Sequence, residues 1–233
     1  MRPADRICIA LDFPTRAQVL DAARRLGPKV GWLKIGLEAF VSEGPSLVAE
    51  VAKISRVFLD LKLHDIPNTV AGAVAAAARS GASLLNVHAS GGRAMLEAAR
   101  KALPDGRDRP KLVAVTLLTS LDTKALADLP IAGHPEGIAR RLALLAKDCG
   151  LDGVVCSPTD LSVVRAACGP DFLTVVPGIR PSGAAAGDQK RIATPREAVT
   201  AGADILVVGR PITAAEDPDA ALDALLGEIE SPA

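Results

Sequence analysis

Eight short, apolar, β-prone runs alternate with helix-forming stretches along this chain, and that alternation leaves few folds open. The runs fall at residues 7–11, 31–35, 57–63, 83–88, 111–118, 153–156, 172–176 and 204–208. After the first, Thr15 can cap a helix that Gly27 and Pro28 end. Further helices follow Pro45, begin near Pro67 and run through the alanines of 71–78, and leave Gly92 for Leu103. The polar stretch 104–110 reads as a loop, 124–129 as a weak helical turn and 135–149 as a longer helix. Ser157 with Pro158, Thr194 with Pro195 and Asp217 with Pro218 each open one more, because proline suits a first helical turn. Gly81, Gly150 and Gly202 each sit between a helix and the next apolar run, where a left-handed residue is wanted. The pattern predicts a single (β/α)8 TIM barrel domain of the α/β class over residues 1–233. An open doubly wound sheet is the alternative. No Gly-x-Gly-x-x-Gly follows the first run, which weakens its dinucleotide-binding form.

Composition excludes several classes of function. Lysine plus arginine (27) balance aspartate plus glutamate (27), so no overall field steers the chain to nucleic acid or to a membrane surface. Aromatic residues are 2% with no tyrosine, which leaves little for base stacking. No run reaches the length of a membrane span, and the first residues show no signal peptide. Cys8, Cys149, Cys156 and Cys168 lack Cys-x-x-Cys spacing and read as reduced core residues of a cytoplasmic protein.

The third run carries the densest chemistry. Val57, Phe58 and Leu59 lead directly into Asp60, Lys62, His64 and Asp65 before Pro67 stops the strand. Alternation places Asp60 and Lys62 on one face and leaves Asp65 out of step. Polar residues recur at the ends of the other runs: Asp12, Lys34, Asn86, His88, Thr116, Thr119, Ser157, Arg180 and Arg210. In a barrel these positions converge on the C-terminal face, where active sites form. Lys34, Asp60, Lys62 and Asp65 could then make a network of alternating charge. At an effective dielectric near 20, a pair ~4 Å apart interacts by about 4 kcal/mol. A lysine kept protonated in this way can act as a general acid.

The last two strand ends look built for phosphate. Gly178 and Arg180 follow the seventh run, and Gly209 and Arg210 follow the eighth. Glycine lets an oxyanion approach backbone N–H groups, and arginine pairs with it. Residues 181–191, small and ending in Lys190 and Arg191, read as a lid over that anion. A competing reading makes Asp12, Asp60 and Asp65 magnesium ligands, but the lysines would contend with a cation for the same oxygens. His64 and His88 read as structural, His134 carries no signal, and Ser157 lacks a Gly-x-Ser-x-Gly setting.

The stretch 60–69, with Asn86 to Ala89, Leu118 to Ser120, Pro177 to Arg180, Gly187 to Gln189 and Gly209 to Pro211, resembles the bacterial orotidine 5′-phosphate decarboxylase family. The resemblance runs from Ile7 to the last helix. It implies a cytoplasmic homodimer that converts orotidine 5′-monophosphate to uridine 5′-monophosphate and carbon dioxide without metal or organic cofactor. It makes Lys62 the proton donor to C6, sets Asp60 beside the substrate carboxylate, and has Lys34 complete the network and touch the ribose. It gives Asp12 a ribose hydroxyl and Thr119 the pyrimidine, with Ser120 as a neighbour. Arg180, Gln189, Gly209 and Arg210 would hold the phosphate and lid, while Asp65 and Thr69 would reach the partner's site. Two rivals remain: a magnesium-dependent sugar-phosphate decarboxylase sharing Asp-x-Lys-x-x-Asp, and a non-catalytic barrel that binds phosphorylated ligands.

Overall fold

The computed structural model describes residues 2–106, 108–181 and 191–230. Eight strands pair in chain order: β1 (Ile7–Ala10), β2 (Trp32–Ile35), β3 (Arg56–Leu63), β4 (Leu84–His88), β5 (Lys111–Val115), β6 (Gly153–Val155), β7 (Leu173–Val176) and β8 (Ile205–Val208). Every pairing is parallel, and β1 closes the barrel against β8, which removes the open-sheet alternative. The helices between them are α1 (Arg16–Leu26), α2 (Leu37–Glu43), α3 (Pro45–Val51), α4 (Pro67–Ala78), α5 (Gly92–Lys101), α6 (Thr123–Leu126), α7 (Pro135–Asp148), α8 (Leu161–Cys168), α9 (Pro195–Thr200), α10 (Arg210–Thr213) and α11 (Pro218–Glu230).

Strand parity sorts the apolar side chains into two clusters. Ile7, Ile9, Leu33, Ile35, Val57 and Leu59 pack with the helices in the larger one. Cys8, Ala10, Trp32, Phe58, Leu84, Val113, Val115, Val155, Val175, Ile205 and Val207 fill the inside of the barrel. Burying one such aliphatic or aromatic side chain contributes about 1.5–3 kcal/mol. The same parity, carried one step up each strand, turns Lys34, Asp60 and Asn86 inward above that apolar column. All four cysteines are free and buried. Burial pushes the Cys156 thiol up to about 12 and raises Cys8 as well, which removes both as nucleophiles.

Two of the glycine junctions, at the end of the barrel where the strands start, carry a structural carboxylate. Asp152, two residues after Gly150, accepts the Leu112 N–H at 2.8 Å and pairs with Arg109 at 2.6 Å. Asp204, two residues after Gly202, accepts the Thr174 N–H at 2.8 Å and pairs with Arg165. Each carboxylate thus covers a backbone donor at the start of the neighbouring strand.

Some expected boundaries move. The segment between β2 and Gly44 folds as α2, which has no side-chain N-cap to announce it. Residues 116–118 leave the expected fifth strand: Thr116 turns its hydroxyl onto the Val155 carbonyl at 3.1 Å, and Leu121 closes a turn on Leu118. Thr116 is buried there as a structural residue and does not join the site, contrary to its grouping with the strand-end polar residues. The weak turn at 124–129 contracts to α6, capped by Asp122.

Candidate active site

Four charged side chains form a line across the C-terminal mouth. The Lys34 ammonium donates to Asp12 at 2.8 Å and faces Asp60 at 3.6 Å, and Lys62 donates to Asp60 at 2.6 Å. Signs alternate along Asp12, Lys34, Asp60 and Lys62. Burial alone would raise the Asp60 carboxyl, but Lys34 and Lys62, with hydrogen bonds from Lys62 and Asn86, outweigh it and hold it below the usual carboxylate range. Burial likewise works against the charged Lys34, and Asp60 and Asp12 more than offset it, so its ammonium holds its proton above the usual lysine range.

Two features that make room for this line carry little sequence signal. A Cβ on Gly36 would stand 2.8 Å from the Asp12 carboxylate and 3.0 Å from the Lys34 ammonium, so glycine leaves the space in which they meet. The β3–β4 register slips between Leu59 and Leu63, and within that slip Lys62 takes φ +50°, the one left-handed non-glycine among the described residues. The simple pleat that put Asp60 and Lys62 on one face does not continue through Lys62; the two still meet because the backbone turns there.

A cavity of about 540 Å³ opens beside this line. Phe58, Val115, Val155 and Val207 from the barrel interior form part of its wall. Its rim carries Leu118, Thr119 and Ser120 after β5, Gly178 and Arg180 after β7, and Gly209, Arg210 and Thr213 after β8. Gly178 stands at φ +81°, which turns the chain sharply at the end of β7. The cavity joins an arginine–glycine rim, an apolar wall and the alternating charge line, which suits an anionic ligand with an apolar part.

Of the residues expected at the site, Asp12, Lys34, Asp60, Lys62, Thr119, Arg180, Gly209 and Arg210 line this one cavity. Asp65 does not join the charge line of its own chain. It is exposed, and its carboxylate accepts the Ile66 N–H at 2.6 Å. Within one chain the charges run Asp12–Lys34–Asp60–Lys62; the expected extension from Lys62 to Asp65 is not made within the chain, and Asp12, Asp60 and Asp65 do not assemble there as a ligand set. Thr69 lies exposed in the first turn of α4, away from the cavity. Gln189 and residues 182–190 of the expected lid lie outside the described residues. Arg191, read as the basic end of that lid, is instead buried. It pairs with the buried Asp160 at 2.5 Å and donates to the Leu118 carbonyl at 3.0 Å, because a sequestered guanidinium needs a counter-charge. His64 and His88 stack with ring centroids 5.4 Å apart, and neither lines the cavity. Asn86, which holds Asp60, and Thr213, on the rim, are polar residues here to which the sequence assigned no individual role.

Residues 5–225 match the family model described as "Orotidine 5'-phosphate decarboxylase / HUMPS family". The chain belongs to this family. The match spans all eight strands and therefore both ends of the cavity. A protein from Anaeromyxobacter sp. (strain K) named orotidine 5′-phosphate decarboxylase is 56% identical over 226 residues, covering 97% of this chain and 98% of its own. Its counterpart from Moorella thermoacetica is 50% identical over 237 residues, covering 99% and 94%. The crystal structure of orotidine 5′-phosphate decarboxylase from Lactobacillus acidophilus superposes with TM-score 0.84 at 37% identity, covering 97% of this chain and 99% of that one. Asp60 and Lys62 of the charge line and the glycine–arginine rim fall on the stretches that carried the sequence resemblance, while Asp12 and Lys34 lie outside them.

Proposed function

We propose that this chain decarboxylates orotidine 5′-monophosphate to uridine 5′-monophosphate and carbon dioxide, the last step of UMP synthesis. The observation that carries the reading is the buried Asp60 carboxylate held between two ammonium groups, with an arginine–glycine rim on the same cavity. Loss of carbon dioxide from C6 leaves an anion with little delocalisation. The Lys62 ammonium stabilises that charge as it develops and then delivers its proton to C6, so its contribution is largest in the transition state. Asp60 fixes Lys62 through the 2.6 Å contact and stands beside the departing carboxylate. Lys34 keeps Asp60 ionised and, with Asp12, meets the ribose. Thr119 and Ser120 face the pyrimidine, while Arg180, Gly209, Arg210 and Gln189 take the phosphate. Binding energy from that remote phosphate holds the reacting ring in place. The chemistry asks for no metal or cofactor: the oxygens of Asp60 already face Lys62, Asn86 and Lys34.

The working form in this reading is a cytoplasmic homodimer in which Asp65 and Thr69 enter the neighbouring site. Asp65 and Thr69 are exposed beside Ile66, itself 66% exposed, and α2 presents Leu37 and Val41 to the outside. Large apolar side chains of that kind favour being covered by a second chain. One domain over residues 1–233 completes the proposal.

The test is loss of orotidine 5′-monophosphate absorbance by metal-stripped protein in excess chelator. Rapid loss with uridine 5′-monophosphate as product is expected. Absence of turnover, with magnesium-dependent release of carbon dioxide from a sugar phosphate, would move the assignment to the metal-dependent relative.

A further inference from the structure

We infer that Asn86 is a positioning residue for this reaction, holding both Asp60 and Lys62 where the decarboxylation proposed above needs them. Asn86 is 1% exposed, on β4, beneath the charge line. Its Nδ2 donates to Asp60 Oδ1 at 2.6 Å, and its Oδ1 accepts the backbone N–H of Lys62 at 2.8 Å. The direction of the amide follows from its partners. An N–H can be met only by the amide oxygen, and an ionised carboxylate only by the NH₂ group. One side chain therefore reads two facts at once: that Asp60 is charged, and that the backbone N–H of Lys62 points across to β4.

The second fact matters because Lys62 holds a left-handed backbone at φ +50°, which a side-chain-bearing residue adopts only when its surroundings enforce it. It does so where the β3–β4 ladder slips out of register, so regular strand pairing does not hold the Lys62 N–H. The Asn86 carbonyl takes that place. Without it, the turn that aims the Lys62 side chain along the cavity loses its cross-strand tie. Without the NH₂, Asp60 Oδ1 keeps its bond from Lys62 but is free to rotate about it. The titratable groups that face the Asn86–Asp60 contact are Lys62 from β3, Lys34 from β2 and His88 from β4, whose imidazole is held below its usual value by burial, His64 and Lys62, and each remains in every variant below.

The test compares Asn86→Ala, which removes donor and acceptor, with Asn86→Asp, which keeps size and the acceptor but replaces the donor with a carboxyl against Asp60. For Asn86→Ala, kcat falls about 10²-fold, the loss that an ångström of misplacement brings. KM and the affinity for uridine 5′-monophosphate stay within about threefold, because the phosphate rim is untouched. Asn86→Asp is expected to be slower than Asn86→Ala at neutral pH and to regain activity relative to it as pH falls, when protonation of the new carboxyl restores a donor. A residue that merely fills space would rank the isosteric aspartate above alanine at every pH, and that ranking would overturn the inference. So would a wild-type kcat in Asn86→Ala, or a loss shared equally by KM and product affinity. Wild-type turnover is the internal standard. If it is absent, the decarboxylase reading falls and this one with it; if it is normal, only the role of Asn86 is at stake.

Discussion

Lys62 combines a partly exposed ammonium lining the cavity with a left-handed backbone that no ordinary strand provides, and the role proposed for it draws on both. Replacing Lys62 by Ala is expected to leave fold and uridine 5′-monophosphate affinity largely intact while lowering turnover by more than the ~10²–10⁴ of one general acid. Steady-state kinetics decide it; a variant keeping about a tenth of wild-type turnover would remove the assigned role. Gly36→Ala tests the spacing of the same line. The added methyl must displace the Asp12 or Lys34 terminus, so activity is expected to fall while thermal stability changes little, read by kinetics and calorimetry side by side. Titration follows from the directions of the shifts. Asp60 lies below its unfolded value, so the unfolded chain takes up the proton first, and the contribution of Asp60 to stability fades as pH falls through the carboxylate range. Lys34 lies above its unfolded value, so its contribution is complete below the ordinary lysine range and fades as pH rises beyond it. Chemical denaturation across pH should show both limbs shrink in Asp60→Asn, which removes the partner that each ammonium faces.

The elements divide the work between the two ends of the barrel. At the C-terminal end of the strands, loops supply the cavity rim; at the other end, Asp152 and Asp204 fasten strand starts. Asp152→Ala leaves the Leu112 N–H and Arg109 without their partner and is expected to lower stability by about 3–5 kcal/mol, the scale of breaking a buried pair, with KM unchanged. Denaturant midpoints and kinetics on the same preparation check both halves. Helix starts were readable where proline or a capping residue marks them. Thr194 bonds the Glu197 N–H while the Glu197 side chain returns to Thr194, a reciprocal cap at the head of α9. α2 was not readable, since Gly36 offers no capping oxygen and seven residues give too few turns for a periodic signal. Arg191 illustrates a different failure. Among small polar residues it looks solvated, yet across the fold it meets Asp160, which no local pattern connects to it.

For the whole molecule, the prediction concerns two chains together. Asp65 stands outside the site of its own chain, so if it serves a partner, mixing inactive Lys62→Ala with inactive Asp65→Ala protein restores activity in mixed dimers that assemble one intact site. Recovery up to about a quarter of wild-type turnover is expected from random pairing with equal mixing. No recovery under proven subunit exchange would place Asp65 elsewhere. The alternation of strands and helices, and with it the expectation of a barrel, was legible in the sequence because each element's signal is local: apolar parity, proline starts, glycine stops. Strand parity, a counting rule, also turned Lys34 and Asp60 inward and set Asp12 and Lys62 close to strand ends beside them. Which charges touch, that Asp12 closes the Lys34 end of the line while Asp65 stands apart within one chain, and that Asn86 ties the line to β4 came from the tertiary structure alone. Those outcomes depend on barrel closure, on a register slip between two strands and on a left-handed residue, all set by contacts between segments far apart in the chain.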